Sequence, residues 1–355
     1  MADHGNRSNA PGIMIPADYA PQRGVLLRRF LLAATATVLT AAAVLSLFRP
    51  DFGRLEVYDN IADLHFADPE LESCVRRTAI DNGWPDVGHF RTLRCNDPDG
   101  DGISTLRGID QLVSLQDVNL AFNDLDDASP LANLPHLALL DLSHNRLTTL
   151  PVFRAANNLR RLEVNFNLLR DLRWLATQDF AALQTLSLAH NEIAGIDTLP
   201  RLSELRELDL RGNQVSDIRF LKTLPGLEML DLGSNAISDL TGIDAAGSLR
   251  RLFLDRNAIT DIGPLAGLDK LEVLDIAHNR PGSLEPLASL TELQRLDIEH
   301  TDAHELDTLF PLGNVEELRV GGNPGLDCAS KGRAIGEFGS AAVVADKGCP
   351  AQAGR

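Results

Sequence analysis

The pattern L-x-x-L-x-L-x-x-N recurs ten times from Leu115 onward. Its last position falls at Asn123, Asn145, Asn167, Asn191, Asn213, Asn235, Asn257, Asn279, Thr301 and Asn323. Every step is 22 residues except 167 to 191, which is 24, with the two extra residues in "WLATQDFAA". In "L-x-L" the leucines alternate, so they share one face of a short strand. A strand that short cannot bury its face alone. Successive units must therefore stack, pairing their strands into one parallel sheet over a continuous aliphatic core. The composition agrees: 44% of residues are hydrophobic but only 5% aromatic. The asparagine lies where the chain leaves each strand, and its amide can satisfy backbone groups that the interior would otherwise strand. The rest of a unit, such as "AISDLTGIDAAGS" after Asn235, has room only for turns and a short helix. The fold expected is an α/β solenoid, a horseshoe of about ten repeats with the parallel sheet on its concave side.

Two units depart from the pattern. The eighth carries Pro281 and the ninth carries Thr301 and Ala303. The spacing and the strand-exit asparagine resemble the leucine-rich repeat family, in the 22-residue form of bacterial internalins and of the SDS-twenty-two-like phosphatase-regulating subunits. The resemblance covers about residues 103–325. It implies non-covalent recognition of a partner on the concave sheet. The internalins suggest adhesion or surface recognition, and the phosphatase subunits a cytoplasmic role.

Solenoids need closed ends. In the segment 67–111, "DPELESCVRRTAI" reads as a helix capped by Asp68, with Pro69 at its first position and Leu71, Cys74 and Val75 on one face. "TLRC" after it reads as a cap strand, with Leu93 and Cys95 in the two inward positions. The repeats proper occupy 112–325, and residues 326–355 form the closing cap and tail. Cys74 and Cys95 are 21 residues apart, as are Cys328 and Cys349. No C-x-x-C spacing suggests zinc, so the reading is two local disulfides, Cys74–Cys95 and Cys328–Cys349, one stapling each cap. Each contributes about 3 kcal/mol by restricting the unfolded chain.

Residues 30–48, "FLLAATATVLTAAAVLSLF", run 19 positions without a charge, close to the roughly 20 that span a bilayer. Arg23, Arg28 and Arg29 precede the run, and Glu56, Asp59 and Asp63 follow Arg49 and Arg54. The positive flank keeps residues 1–29 in the cytoplasm as a disordered tail and exports the rest. A cleaved signal peptide competes with this reading, since Ala41 and Ala43 offer a small-residue site. The long lead and the apolar "VLSLF" left after such a cut favour an uncleaved signal-anchor helix, followed by a tether over 49–66. The location expected is the bacterial inner membrane, single-pass, with the repeats periplasmic or extracellular. An exported location also argues against the cytoplasmic role.

The net charge is −17, and residues 51–355 alone carry 28 basic against 48 acidic residues. That balance argues against a nucleic-acid groove. The middle residue of L-x-L points out of the core, and that column reads Asn119, Asp141, Glu163, Ser187, Asp209, Asp231, Phe253, Asp275, Asp297 and Arg319. Like charges on adjacent strands repel. They either serve a partner or keep an open sheet wet, while Arg161, Arg211, Arg251 and Arg295 flank the column and can neutralise part of it. The partner expected is a protein or cell-envelope polymer. Its contacts are expected at Asp209, Asp231, Arg251, Phe253, Asp255, Asp275 and Asp297, with Phe253 an aromatic anchor.

A second column precedes the asparagine: Phe122, His144, Phe166, His190, Gly212, Ser234, Arg256, His278, His300 and Gly322. Asp275 with His278 and Asp297 with His300, on adjacent units, offer a donor set for a transition metal. The same residues also suit an exposed strand exit. In "NDPDGDGIS", Asp97, Asp99 and Asp101 before Gly102 match the opening of a calcium loop similar to those of dockerins and thrombospondin type-three repeats. The twelfth position is Gly108 rather than Glu, so the alternative is an acidic turn. Calcium is the one cofactor suggested, and it goes with calcium-dependent binding of an envelope glycan; a structural envelope spacer is a third role. No Ser–His–Asp signature, phosphate loop or H-E-x-x-H is present, so no enzyme is expected.

Overall fold

Three residues per unit reach the extended ladder before the chain turns away, so the strands are as short as L-x-L allows. The computed structural model describes residues 61–96, 102–153, 158–178, 180–196 and 199–345, all of them in one unit, Leu55–Arg355. Residues 1–29, the apolar run 30–48, most of the tether, Asp97, Asp99, Asp101 and Cys349 lie outside the described residues. Among the described residues, no helix is long and apolar enough to cross a membrane.

The sheet contains twelve parallel strands in chain order. They are β1 (Thr92–Arg94), β2 (Asp117–Asn119), β3 (Leu139–Asp141), β4 (Arg161–Glu163), β5 (Thr185–Ser187), β6 (Glu207–Asp209), β7 (Met229–Asp231), β8 (Arg251–Phe253), β9 (Val273–Asp275), β10 (Arg295–Asp297), β11 (Glu317–Arg319) and β12 (Val343–Val344). From β2 to β11 each residue pairs with its repeat equivalent, so Asp209 stands opposite Asp231, Asp231 opposite Phe253 and Phe253 opposite Asp275. The 24-residue unit keeps this register too, with Glu163 opposite Ser187. Its extra residues are absorbed away from the sheet. The returning limbs carry short 3₁₀ turns such as Ser129–Asn133, Arg219–Thr223 and Glu285–Ser289.

Leu140 and Leu142 are buried on the core side, as are Leu208, Leu210, Leu230 and Leu232 in their units. The asparagines tie these layers together. Asn213 is buried and donates through Nδ2 to the carbonyls of Leu188 (3.0 Å), Leu210 (2.9 Å) and Arg211 (3.3 Å). Its Oδ1 accepts the Ile193 N–H at 3.0 Å. Asn145 repeats the same four bonds with Leu120, Leu142, Ser143 and Leu125.

The two irregular units turn out to be one compensated exception. In a regular unit the asparagine oxygen accepts the N–H found two residues after the preceding asparagine, as Asn279 does from Ile259. For position 301 that donor would be residue 281, a proline, which has no N–H. Thr301 therefore needs no acceptor there. Its hydroxyl satisfies the Ile298 carbonyl (2.8 Å), while the Thr301 and Ala303 N–H groups both go to Asn323 Oδ1. Pro281→Ile is accordingly expected to cost roughly 1–2 kcal/mol by creating an amide without an acceptor. Adding Thr301→Asn should recover at least half of that loss. Urea titration of the double-mutant cycle reads the coupling, and strictly additive effects would disprove the pairing.

The first helix, α1 (Pro69–Asn82), starts where the sequence places it and buries Leu71, Val75 and Ala79. Asp68 caps it through the Glu70 and Leu71 N–H groups. Its other oxygen takes the Ser104 N–H, the Ser104 hydroxyl and the Thr105 N–H. One carboxylate thus fastens the helix to the turn that enters the first repeat. Burial works against its charge, but these donors prevail and hold it below the usual carboxylate range. Cys74 and Cys95 form the expected disulfide. At the other end, α2 (Cys328–Phe338) is capped by Asp327. The segment read as closing cap also supplies β12, which pairs with β11. The repeat pattern does not mark that strand, because its sequence is not L-x-L.

Candidate functional site: the outward face of the sheet

Strand alternation puts three outward columns on the sheet, one from the residue before the first leucine and one from each of the next two odd positions. The middle column is the acidic one. Its aspartates have a local task that charge alone does not reveal. Asp141, Asp209, Asp231, Asp275 and Asp297 each accept the N–H two residues on, at 2.8–2.9 Å. Asn119 does the same for Ala121 at 3.0 Å. The fold requires no carboxylate in this column, as the sequence indicates, since Phe253 and Arg319 stand there too; where an Asp or Asn is present, its oxygen caps the turn. The cap does not need a negative charge, as Asn119 demonstrates.

The two halves of the face treat that charge differently. On β2–β5 the polar groups bond with one another. Asn119 donates to Asp141 (3.1 Å), and Ser187 donates to Asn165 (2.7 Å), which also accepts the Ala189 N–H. On β6–β10 the carboxylates outnumber their partners. Arg251 is exposed and pairs with Glu207 (3.1 Å), and Arg295 with Glu317 (2.7 Å). Arg319 lies 4.0 Å from Asp297 but is held closer by Glu317, at 2.6 Å. Arg211 forms two 2.7 Å bonds with Asp255, whose exposure is only 6%, and reaches Asp231 at 3.5 Å. Gly233 makes room for this pair: a Cβ there would come within 2.3 Å of the Arg211 Nη1 and 2.4 Å of the Asp255 Oδ1. Among the described residues, Asp209 and Asp275 have no ion-pair partner within 4.0 Å.

Burial raises the pKa of the acids in this half of the column. Asp231 is pushed up to about 7 by burial and then by Asp209, and Asp275 to about 7 by burial and then by Asp297. Burial also lifts Asp297 to about 6 and Asp209 above its ordinary value. The Arg211 pKa is raised as well, which for a guanidinium locks the charge in, chiefly through its bonds to Asp255. Raised acids bind more protons in the folded chain than in the unfolded one. The stability they contribute is complete below about pH 4 and is lost as pH rises toward 7. The chain is therefore expected to unfold at a higher temperature at pH 5.5 than at pH 7.5. Asp231→Asn keeps the turn acceptor and should add roughly 1–2 kcal/mol at pH 7.5. Urea midpoints at the two pH values test both statements; an unchanged midpoint in the variant at pH 7.5 would refute them.

The seven residues expected to meet a partner thus share one stretch of sheet, β6–β10 and the residues just past it. Phe253 is half-buried between Asp231 and Asp275. The sequence reading treated Arg211 only as a flanking charge, and the structure makes it the centre of the network. Its signal was available: position 211 follows the second leucine, so alternation turns it outward beside Asp255.

The column of Phe and His residues sits at positive φ, between 53° and 60° for its non-glycine members, a conformation costly for side chains with a Cβ. Stacking offsets that cost. Phe122, His144, Phe166 and His190 form a continuous pile with ring centroids 4.1, 4.2 and 4.3 Å apart, and His278 lies 4.4 Å from His300. His190 and His300 then cover Gly212 and Gly322, where a Cβ would lie within 2.6 and 2.3 Å of the rings. These imidazoles face their neighbours rather than a shared centre. Among the described residues, no group of three or more His, Cys, Asp or Glu is placed to hold a metal. That corrects the transition-metal reading of Asp275, His278, Asp297 and His300.

Residues 203–245 and 248–289 match the family "Leucine Rich repeats (2 copies)", and residues 157–215 match "Leucine rich repeat". No curated protein matches in sequence. Among solved structures, an internalin (inlF) from Listeria monocytogenes is 22% identical, with 84% of this chain and 99% of that one covered at a TM-score of 0.63. The functional domain of InlJ from the same organism is 23% identical over 75% of this chain and 60% of that one, with a TM-score of 0.61. TLR13 in complex with ssRNA13 is 24% identical over 61% of this chain and 37% of that one, with a TM-score of 0.54. At these identities the likeness is one of fold. With the ten-unit periodicity, the in-register sheet and the asparagine ladder, it establishes that the chain folds as a leucine-rich repeat solenoid of the form those internalin structures have.

Proposed function

We propose that the protein is a non-enzymatic binding scaffold, anchored in the bacterial inner membrane by residues 30–48, that holds a protein partner on the concave face of β6–β10. The observation that carries this reading is the placement of charge. At Asp209, Asp231, Asp275 and Asp297 one oxygen caps the turn, asparagine would supply it as well, and the carboxylates instead raise the cost of folding at neutral pH. A group kept at such a cost, on a face open to a partner, is the kind that recognition uses. The apolar run, its basic flank and the oxidised Cys74–Cys95 pair support export. The leucine-rich repeat likeness supports binding over catalysis. One structural neighbour was solved with RNA, but an acidic face repels a phosphate backbone, and a protein suits this one better.

The test is capture of envelope proteins by the full chain, with and without calcium. It is run beside a variant carrying Asp209→Asn, Asp231→Asn, Phe253→Ala, Asp275→Asn and Asp297→Asn. A partner retained by the wild type and lost by the variant is expected. Equal capture by both would sink the concave-face reading. Retention of glycan only, and only with calcium through the loop at Asp97, Asp99 and Asp101, would favour the glycan-binding alternative. Capture of nothing by a folded chain would leave a structural spacer.

A further inference from the structure

Resting on that reading, we infer that Asp231, Phe253 and Asp275 form a seat for an arginine side chain, so that the partner docks through an extended arginine-bearing segment. The three residues occupy consecutive strands in one column, paired in register, so a carboxylate flanks the aromatic on either side at one strand spacing, about 4.8 Å. Phe253 interrupts the acids at the middle of their run. It is the one member of the column from β6 to β10 that gives no turn-capping oxygen, so local structure does not call for it. A guanidinium is a planar cation that packs on an aromatic ring while its edges bond to carboxylates. A lysine ammonium gains less from that combination because it is compact and strongly hydrated.

The chain already contains one example of the recognition proposed. Arg211 reaches across two units to meet Asp255 with both terminal nitrogens, showing that guanidinium is the cation this face accommodates between strands. That internal arginine does not fill the neighbouring seat. Asp275 has no ion-pair partner among the described residues, and Asp231 is touched by Arg211 only at 3.5 Å.

The charged groups facing the seat are Asp209 on β6, Arg211, Asp255, Arg251 on β8, Asp297 on β10, Glu299 and, beyond them, Arg319. Glu207 engages Arg251 and Glu317 engages Arg319. The balance around the seat therefore remains negative. An arriving cation would also drive off the protons that burial places on Asp231 and Asp275, so its affinity should rise between pH 5.5 and pH 8.

The probes are three acetylated, amidated peptides, Gly-Arg-Gly-Arg-Gly, its lysine equivalent and its citrulline equivalent, titrated into the full chain by calorimetry. The arginine peptide should bind, the lysine peptide about fivefold more weakly, and the uncharged citrulline peptide not measurably. Phe253→Leu should bring the arginine peptide down to the lysine level and leave the lysine peptide unchanged. Asp231→Asn with Asp275→Asn should abolish the preference. The charge-matched control Asp269→Asn with Glu292→Gln, both exposed away from the column, should change neither affinity. Thermal melts establish that each variant is folded. Absence of binding to the wild type, or an arginine-over-lysine preference that survives Phe253→Leu, overturns the seat. If the envelope capture above still depends on the column while the peptides fail, the scaffold reading stands and only the arginine seat falls.

Discussion

Asn213→Ala is expected to lower the unfolding free energy by about 3 kcal/mol, more than any exposed substitution on the same unit. The estimate comes from asking which groups lose their only partner. The Leu188 carbonyl keeps Asn191, the Leu210 carbonyl keeps Asn235, and the Arg211 carbonyl keeps the His190 N–H. The Ile193 N–H loses Asn213 Oδ1, the one acceptor it has among the described residues. A buried donor left alone costs about 1–3 kcal/mol. The three lost amide bonds and the void left by the truncated side chain add to that. Because adjacent units stabilise each other through their shared interface, a break at this central unit should also broaden the transition. Urea unfolding followed by circular dichroism reads both effects. A loss below about 1 kcal/mol would mean that water reaches Ile193, and that the ladder guides the turn without holding units together.

How much of this was legible in sequence follows from periodicity. The Leu and Asn positions repeat every 22 residues, so the strands, their register and the ladder could be read directly, and Asp68 and Pro69 announced α1. What escaped was contact between columns. Nothing in one unit says that Pro281 explains Thr301, because the bond they both forgo crosses the boundary between repeats. Nothing in the Phe and His column says that its rings stack instead of converging, since that depends on a left-handed φ shared by every member. The acidic column was visible as a column. Its division into a self-bonded half on β2–β5 and a half on β6–β10 whose carboxylates outnumber their partners required Asn165 and Arg211 to be placed in space. The closing strand β12 escaped because it belongs to no repeat.

The placement of Arg211 sets the second large effect. Arg211→Met should destabilise the protein by about 2–4 kcal/mol at pH 8, with the exact value limited because the Arg211 side chain is 34% exposed and partly screened. The loss comes less from the missing attraction than from what remains. Asp255, whose side chain is 8% exposed, would be left as a buried carboxylate with Asp231 and Asp275 near it. Arg211 also holds down the raised pKa values of Asp231 and Asp275, so without it burial and the neighbouring acids drive both further toward the protonated form. The variant's folded state then binds more protons than its unfolded state at neutral pH, so its deficit should shrink on going from pH 8 to pH 5.5. The double variant Arg211→Met with Asp255→Leu removes both charges and should recover most of the loss, as replacement of a whole buried pair by apolar side chains generally does. Chemical unfolding of the single and double variants at both pH values separates the possibilities. A deficit that does not change with pH, or a double variant no better than the single one, would show that Arg211 contributes through its packing against Gly233 and not through the carboxylates it gathers.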